Sequence, residues 1–273
     1  MSNKSIGSRE YKIMLKAEKF KGKEKELLKT AGKFWSDFKP DMSDFVIDTN
    51  GKLNEIKKRR TIRFYDTDMA RLRNNNYVFR ERTDLETGQR EVTLKFRHPD
   101  RYLTQDRNMD AKKPKKGESK FEQDIKPPFL SLYSFSTKQE ISSSKNLNKM
   151  NDPVGLFPDL ENKLNNYQKD EQLNKVGQFT ARELVITGAD FQISASPKLE
   201  AECALIVWYQ NKGSHTKPLL VEFSFKYESK DEDYDGNMAQ RAYHVFMKLQ
   251  KCQKWIDLKS MTKTAYVYGL ASG

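Results

Sequence analysis

Residues 77–97 contain two short runs in which charged and apolar side chains alternate, and no other feature limits the possible folds as strongly. In YVFRERTDLETGQREVTLKFR, Arg80 and Arg82 share one face of the first run, and Lys95 and Arg97 share one face of the second. Successive side chains of a strand point to opposite faces, so each run predicts a strand with one charged and one apolar face. The glycine-containing connection predicts a hairpin. The four cations should therefore lie together, facing either water or a site.

Alternating runs recur along the rest of the chain. Besides the hairpin, they predict strands at 10–16, 60–68, 120–125, 181–188, 199–209 and 219–228. Apolar residues at helical spacing predict two helices, at 23–38 and 238–256. No internal repeat is visible, and the strands do not alternate regularly with helices. The order of elements predicts an α+β fold with a mainly antiparallel sheet.

We interpret residues 1–273 as a single domain with two irregular regions. The stretch 98–119 is polar, basic and interrupted by two prolines, which predicts a mobile loop between strands. The stretch 129–178 has no clear period and is interpreted as an irregular insertion with a short helix near 159–167. The remaining strands and helices are expected to form one structure.

The basic composition favours an anionic ligand or partner. The net charge of +12 predicts attraction to nucleic acid, polyphosphate or an acidic membrane surface. No apolar run approaches the ~18 residues of a membrane span, and the opening MSNKSIGSREYK lacks the apolar core of a signal peptide. With only two cysteines in the chain, we expect an intracellular, cytoplasmic setting.

Familiar catalytic motifs are missing from the sequence. It contains no GxxxxGK[ST] loop, no GxSxG elbow, no HExxH and no CxxC. The three histidines are scattered, so any metal should be held by carboxylate oxygens, which suit Mg²⁺ or Mn²⁺. Phosphoryl chemistry needs cations that clamp phosphate oxygens and carboxylates that hold divalent ions. The charged faces of the predicted strands carry both, although such faces commonly point to water in antiparallel sheets.

The stretch TIRFYDTDMARLRNNNYVFRERTD resembles the signature segment of the CYTH, or triphosphate tunnel metalloenzyme, superfamily. Further strands resemble that family's later motifs in the same order along the chain. The matching residues are Tyr65, Asp66, Thr67, Asp68, Leu72, Phe79, Arg80, Arg82, Leu94, Lys95, Lys120, Glu122, Asp124, Glu222, Lys263 and Tyr266. Each match is short, and their order and combination carry the resemblance.

The resemblance implies an antiparallel β-barrel of about eight strands that forms a tunnel, with charged faces inward and helices packed outside. It also implies hydrolysis or cyclisation of triphosphates with Mg²⁺ or Mn²⁺. The phosphate-binding residues would be Lys12, Arg80, Arg82, Lys95, Arg97, Lys120 and Arg182. The metal ligands would be Glu10, Asp124 and Glu222. Glu122 would be the catalytic residue that orients water.

The first strand departs from the family pattern. Family members carry ExExK there, with two metal-binding glutamates, whereas this chain places Glu10, Lys12 and Met14 in one register. The late strand reads Glu222, Ser224 and Lys226 along one face and has also lost an acid. Fewer carboxylates predict weaker binding of divalent ions, whereas the cations for anion binding are retained.

Three functions follow as hypotheses. The first is a metal-dependent phosphohydrolase-like tunnel protein that binds and hydrolyses a triphosphate-containing substrate. The second is a catalytically weakened binding module for a nucleotide, polyphosphate or RNA 5′ end. The third is a nucleic-acid-binding β protein that uses the basic segment KKPKK at 112–116.

Overall fold

A ring of β-strands with helices outside it forms the architecture of this protein. The computed structural model describes residues 4–113, 119–164 and 167–271. The strands are β1 (Ser8–Leu15), β2 (Asp48–Asp66), β3 (Tyr77–Asp84), β4 (Arg90–His98), β5 (Ser119–Lys126), β6 (Leu130–Ile141), β7 (Asn174–Lys175), β8 (Ala181–Ala195), β9 (Lys198–Gln210) and β10 (Leu220–Glu228). The helices are α1 (Glu24–Met42), α2 (Arg71–Asn74), α3 (Arg101–Gln105), α4 (Asn151–Leu156), α5 (Leu160–Lys163), α6 (Gly236–Gln250) and α7 (Lys263–Ala271).

Nine of the described strands together form one closed ring. Neighbours in the sheet follow the order β3-β4-β6-β5-β1-β10-β9-β8-β2, and β2 pairs again with β3, while the two-residue β7 is attached to β2. The β1–β5 pair is parallel, and the other pairs are antiparallel. The predicted α+β fold with a tunnel-like ring is confirmed, with nine strands in the ring rather than about eight.

The charged strand faces point into the ring. On β1, Tyr11 and Ile13 belong to a buried apolar cluster outside the ring, whereas Lys12 lines the interior. On β3, Phe79 is buried outside and Arg80 lines the interior. Alternation along each strand therefore places polar side chains inside and apolar side chains outside, where helices and loops cover them.

Two apolar clusters cover the outer surface of the ring. In the first, α1 and α6 pack on β1, β8, β9 and β10; the ring of Phe34 lies 5.0 Å from that of Phe223. In the second, residues between Leu147 and Leu164, together with Leu173, pack on β3 and β4, and Phe157 contacts Phe79 with a ring separation of 6.3 Å. Burial of these outer faces holds the strands in the register that directs the charges inward.

A third apolar cluster fills one end of the interior. It combines Met14, Phe64 and Trp208 from the strands with Val267 and Tyr268 from α7. On their strands, the residues of this cluster lie on the same inner face as the charged residues of the interior. The C-terminal helix therefore closes that end, and the charged cavity lies beside the closure.

The stretch 129–178 is more regular than its sequence predicts. Leu130–Ile141 forms β6, a strand of the ring between β4 and β5. Its inner face carries Ser134 and Ser136, so the pattern lacks the strong contrast between charged and apolar faces seen in the hairpin. The expected short helix near 159–167 is present as α5.

The strand predicted at 60–68 begins twelve residues earlier, at Asp48. This added part is polar and mostly exposed, and it is held by pairing with β8 rather than by burial. The pairing shifts register next to Gly51, whose φ of 66° suits glycine. A Cβ at Gly51 would lie 1.8 Å from the carbonyl oxygen of Gly188. The strands β2 and β8 therefore approach too closely for a residue other than glycine at position 51.

The basic stretch 98–119 contains a short helix that the sequence did not predict. Asp100 caps α3 by accepting a hydrogen bond from the Leu103 amide at 2.9 Å. Of the segment KKPKK, residues 114–116 lie outside the described residues. Within the described ranges, no helix combines the length and the apolar character needed to cross a membrane.

Candidate functional site

A cavity of about 270 Å³ lies inside the ring and gathers charged side chains from several strands. Its charged lining consists of Glu10, Lys12, Arg80, Arg82, Lys95, Arg97, Lys120, Glu122, Lys126, Lys138, Glu222 and Lys263. Pockets for drug-sized ligands span about 300–1,000 Å³, so this cavity suits a compact ligand. The hairpin cations Arg80, Arg82, Lys95 and Arg97 therefore face one interior space.

The cavity lining is strongly cationic. Nine lysine and arginine side chains stand against three glutamates, an excess of six positive charges. Asp124, which lies buried next to the cavity, reduces this excess to five. Like charges crowded in a poorly solvated space repel one another, so such a lining favours an anionic ligand with several charges.

The guanidinium groups of the hairpin are incompletely satisfied. The Nε atoms of Arg80, Arg82 and Arg97 are buried and have no hydrogen-bond partner among the described residues. Burial, with repulsion from Arg60, lowers the pKa of Arg80 to about 10. Burial and Arg80 itself lower the pKa of Arg82 well below its usual range. Buried donors without acceptors are costly, and an anion in the cavity would supply the acceptors.

Lys12 connects two of the carboxylates predicted to bind metal. Its Nζ lies 2.7 Å from Glu10 Oε2 and 2.7 Å from Asp124 Oδ1. Burial opposes the charged ammonium, but Asp124 and Glu10 more than compensate and raise the pKa of Lys12. Burial likewise opposes the charged carboxyl of Glu10, and Lys12 lowers its pKa. Lys12 is therefore a stable cation inside the ring.

Asp124 is the centre of a buried ion cluster. It is fully buried, and its Oδ2 lies 2.8 Å from Arg97 Nη2 and 3.3 Å from Lys95 Nζ. Although burial raises the pKa of a carboxyl, Lys12, Lys95 and Arg97 together lower the pKa of Asp124 well below its usual range. The strand register explains the cluster, because Asp124 lies beside Glu10 in the parallel β1–β5 pair.

Of the remaining two predicted carboxylates, Glu222 has a partner outside this cluster, whereas Glu122 shares Lys95 with Asp124. Glu222 Oε1 lies 2.8 Å from the Nζ of Lys263, which enters the cavity from the start of α7. Glu122 accepts a hydrogen bond from the Ser8 hydroxyl at 3.0 Å, and its other oxygen lies 3.6 Å from Lys95 Nζ. Both glutamates line the cavity.

These carboxylates do not form a site that fits a divalent ion. Glu10 and Asp124 share the Lys12 ammonium, and Glu222 is paired with Lys263. Among the described residues, no group of three or more histidine, cysteine, aspartate or glutamate side chains is arranged to hold a metal. An incoming Mg²⁺ or Mn²⁺ would have to displace these ammonium groups and would then meet their charge repulsion. The expectation of Mg²⁺ or Mn²⁺ stays a prediction.

Arg182 does not lie with the other predicted phosphate-binding residues. It belongs to β8, where the next residue, Glu183, faces the interior and accepts a hydrogen bond from Trp208 Nε1 at 2.7 Å. Since neighbouring strand residues point to opposite faces, Arg182 points outward, toward Glu24 at the start of α1. The structure therefore does not bring Arg182 together with the other predicted phosphate-binding residues.

Three further cations line the cavity and were not assigned to it from the sequence. Lys126 follows Lys120 and Glu122 on the same face of β5, beyond the predicted end of that strand. Lys138 lies on β6, which the sequence did not predict. Lys263 matched a family motif, but the pattern gave no indication that it enters the ring. Extending the predicted strand at 120–125 by one residue would have found Lys126.

The turn at the end of β2, which begins at Asp66, supports the fold and does not line the cavity. Asp66 accepts hydrogen bonds from the Leu72 amide at 2.8 Å and the Arg73 amide at 3.0 Å. It also accepts one from the Tyr268 hydroxyl at 2.8 Å. Asp66 thereby holds the turn and α7 together, which supports the closed end of the ring.

Comparison with known proteins gives only distant likenesses. No protein-family model and no curated protein sequence matches the chain. Among solved structures, HpAC1 from Hippeastrum, described as having a dominant triphosphatase activity, is 12% identical, with 97% of this chain and 96% of that chain covered and a TM-score of 0.47. A candidate adenylate cyclase from Bacillus halodurans is 14% identical, with 96% and 100% covered and a TM-score of 0.41. One from Vibrio parahaemolyticus is 11% identical, with 98% and 99% covered and a TM-score of 0.39.

Proposed function

We propose that this protein binds the triphosphate group of a small molecule inside its ring of strands. One observation carries the proposal: nine cations and three glutamates line a single interior cavity of about 270 Å³. A triphosphate is compact, carries several negative charges and offers many acceptor oxygens. It would relieve the repulsion among the cations and accept hydrogen bonds from the unpartnered Nε atoms.

The arrangement of the cations favours a chain of phosphates over a single one. Arg80 and Arg82 come from β3, Lys95 from β4, and Lys12 from β1 on another side of the ring. These side chains face one cavity from different strands. A single phosphate reaches only a few of them, whereas a linear triphosphate can contact guanidinium and ammonium groups along its length.

The test is titration calorimetry of the full chain with inorganic triphosphate. Replacing Arg80 or Arg82 by alanine should weaken binding by about ten- to a hundredfold, because hydrogen bonds to charged groups contribute about 1.5–3 kcal/mol. Arg182→Ala is the matched control, since Arg182 belongs to a strand of the ring but its side chain points to the outer face. The Arg182→Ala variant should bind inorganic triphosphate with the same affinity as the wild type.

The opposite ranking contradicts the proposal. If Arg182→Ala loses binding while Arg80→Ala and Arg82→Ala keep it, the anion binds outside the ring. Thermal unfolding of each variant controls for misfolding, because loss of a buried arginine can alter the stability of the ring.

Hydrolysis of the bound triphosphate is a second candidate, favoured by the position of Glu122. This carboxylate lines the cavity, is oriented by the Ser8 hydroxyl and lies near Lys95. In this role it would orient a water molecule beside a phosphoryl group. Phosphate release from inorganic triphosphate, nucleoside triphosphates and thiamine triphosphate tests this, with and without Mg²⁺ or Mn²⁺. Glu122→Gln should lower any turnover by about 10²–10⁴-fold; unchanged turnover contradicts the role of Glu122.

A further inference from the structure

A lysine ammonium stands where the resemblance predicts metal-binding carboxylates. Lys12 Nζ lies 2.7 Å from both Glu10 Oε2 and Asp124 Oδ1, so it bridges the two acids as a bound cation would. The next inward residue of β1 is Met14, which packs in the apolar cluster at the closed end. β1 therefore contributes one carboxylate and one built-in cation to the interior.

The built-in cation retains capacity to bind a ligand. An ammonium group has three donors, and two of those of Lys12 are used by Glu10 and Asp124. The side chain lines the cavity and is 17% exposed, so a ligand can reach it. Lys263 has the same character close by, with Glu222 of the adjacent strand β10 as its partner at 2.8 Å.

We infer that the ring binds a triphosphate group without a divalent cation, with the Lys12 ammonium serving in place of a metal ion. This inference rests on the proposed function and adds to it the form in which the ligand is bound: the free anion, rather than its magnesium complex. A triphosphate that carried Mg²⁺ would bring two additional positive charges into a lining that already has an excess of positive charge. Removal of Mg²⁺ should therefore not weaken binding.

The first test compares binding of inorganic triphosphate by the wild-type chain in EDTA and in excess Mg²⁺. We expect the dissociation constant in EDTA to be equal to or lower than that in Mg²⁺. Binding that requires Mg²⁺, or that becomes about tenfold tighter with it, overturns the inference while the proposed function stands. No binding in either buffer overturns the proposed function itself, so the two failures are distinguishable.

The second test replaces Lys12. Lys12→Met removes the charge and should weaken triphosphate binding in EDTA by at least about tenfold, the effect of losing one charged hydrogen bond. The same variant leaves Glu10 and Asp124 without their shared cation, so it should take up Mn²⁺, measured as loss of the free Mn²⁺ signal in electron paramagnetic resonance. Lys12→Arg keeps the charge and should retain binding in EDTA to within a few-fold.

Retention of full affinity by Lys12→Met in EDTA contradicts the inference. So does strong Mn²⁺ binding by the wild type, because it would mean that a divalent ion displaces the Lys12 ammonium. If Lys12→Met does not fold, the comparison of EDTA with Mg²⁺ for the wild type and for Lys12→Arg still decides.

Discussion

Buried cations define this site at the scale of single residues. The pKa of Arg80 falls to about 10 because burial disfavours its charged form and Arg60 repels it, yet the group remains charged near neutral pH. Lys126 comes closer to neutral pH: burial, with repulsion from Arg97, lowers its pKa to about 8. A bound anion would favour the protonated form of both groups, so ligand binding and protonation should be linked.

Lys126 should make triphosphate binding weaken as the pH rises through about 8. Its ordinary pKa of 10.5 is lowered in the folded protein, so between these values the unfolded chain holds the proton and the folded protein does not. The free energy of unfolding of the unliganded protein should therefore rise with pH across this window, while its affinity for the anion falls. Calorimetry at several pH values measures the affinity.

Lys126→Arg is the matched variant for this pH dependence, because a guanidinium keeps its charge throughout the range. It should flatten the decline in affinity above about pH 8, and the titration of the ligand itself is common to both proteins. An equally steep decline in Lys126→Arg would show that another group is responsible.

At the scale of elements, the outer helices determine which strand faces point inward. α1 buries Leu27, Ala31, Phe34, Trp35, Phe38 and Met42 against the ring. The aromatic side chain of Phe34 contacts Phe223 of β10. Glu222 and Ser224, the neighbours of Phe223 on that strand, point the other way, into the interior of the strand ring. α1 therefore contributes to stability and strand register, and it does not contact the ligand cavity.

Phe34→Ala should reduce the free energy of unfolding by about 3–5 kcal/mol, as expected for deletion of a large buried aromatic side chain. Its side chain is fully buried and touches the rings of Phe223 and Trp255. Denaturant unfolding measures the loss. Lys29→Ala, on the exposed face of the same helix, should change stability by less than about 0.5 kcal/mol.

Triphosphate affinity separates the structural role of α1 from a role in binding. The folded fraction of Phe34→Ala should bind inorganic triphosphate as tightly as the wild type. A large loss of affinity at a temperature where the variant is folded would show that α1 shapes the cavity directly.

At the scale of the whole molecule, the sequence was informative wherever one strand face was uniformly charged and the other uniformly apolar. The hairpin cations could be grouped on one face for this reason, whereas their inward position and that of Lys12 were expected from the family resemblance. β6 could not be predicted, because serines on its inner face weaken the contrast. The outward position of Arg182 could not be predicted either, because its neighbour Glu183 is also charged and the pattern at the start of β8 does not choose a face. The entry of Lys263 into the ring depends on α7, which contacts the ring only after folding.

The basic segment at 112–116 should act independently of the ring. Neutralising Lys112, Lys113, Lys115 and Lys116 should weaken binding of single-stranded RNA and reduce its salt dependence, because such contacts release counterions. Triphosphate affinity should not change, since Lys112 and Lys113, the two of these lysines that the structure describes, do not line the cavity. Loss of triphosphate binding in this variant, with Arg80→Ala unaffected, would favour the nucleic-acid hypothesis.

The most direct test of the interior site is a crystal structure of the full chain with inorganic triphosphate in metal-free buffer. We predict phosphate oxygens at about 2.7–3.2 Å from the guanidinium groups of Arg80 and Arg82 and from the ammonium groups of Lys12 and Lys95. The anion should lie wholly inside the ring, beside the end closed by α7. Triphosphate bound on the outer surface, with the interior cavity unoccupied at saturating ligand, would contradict the account.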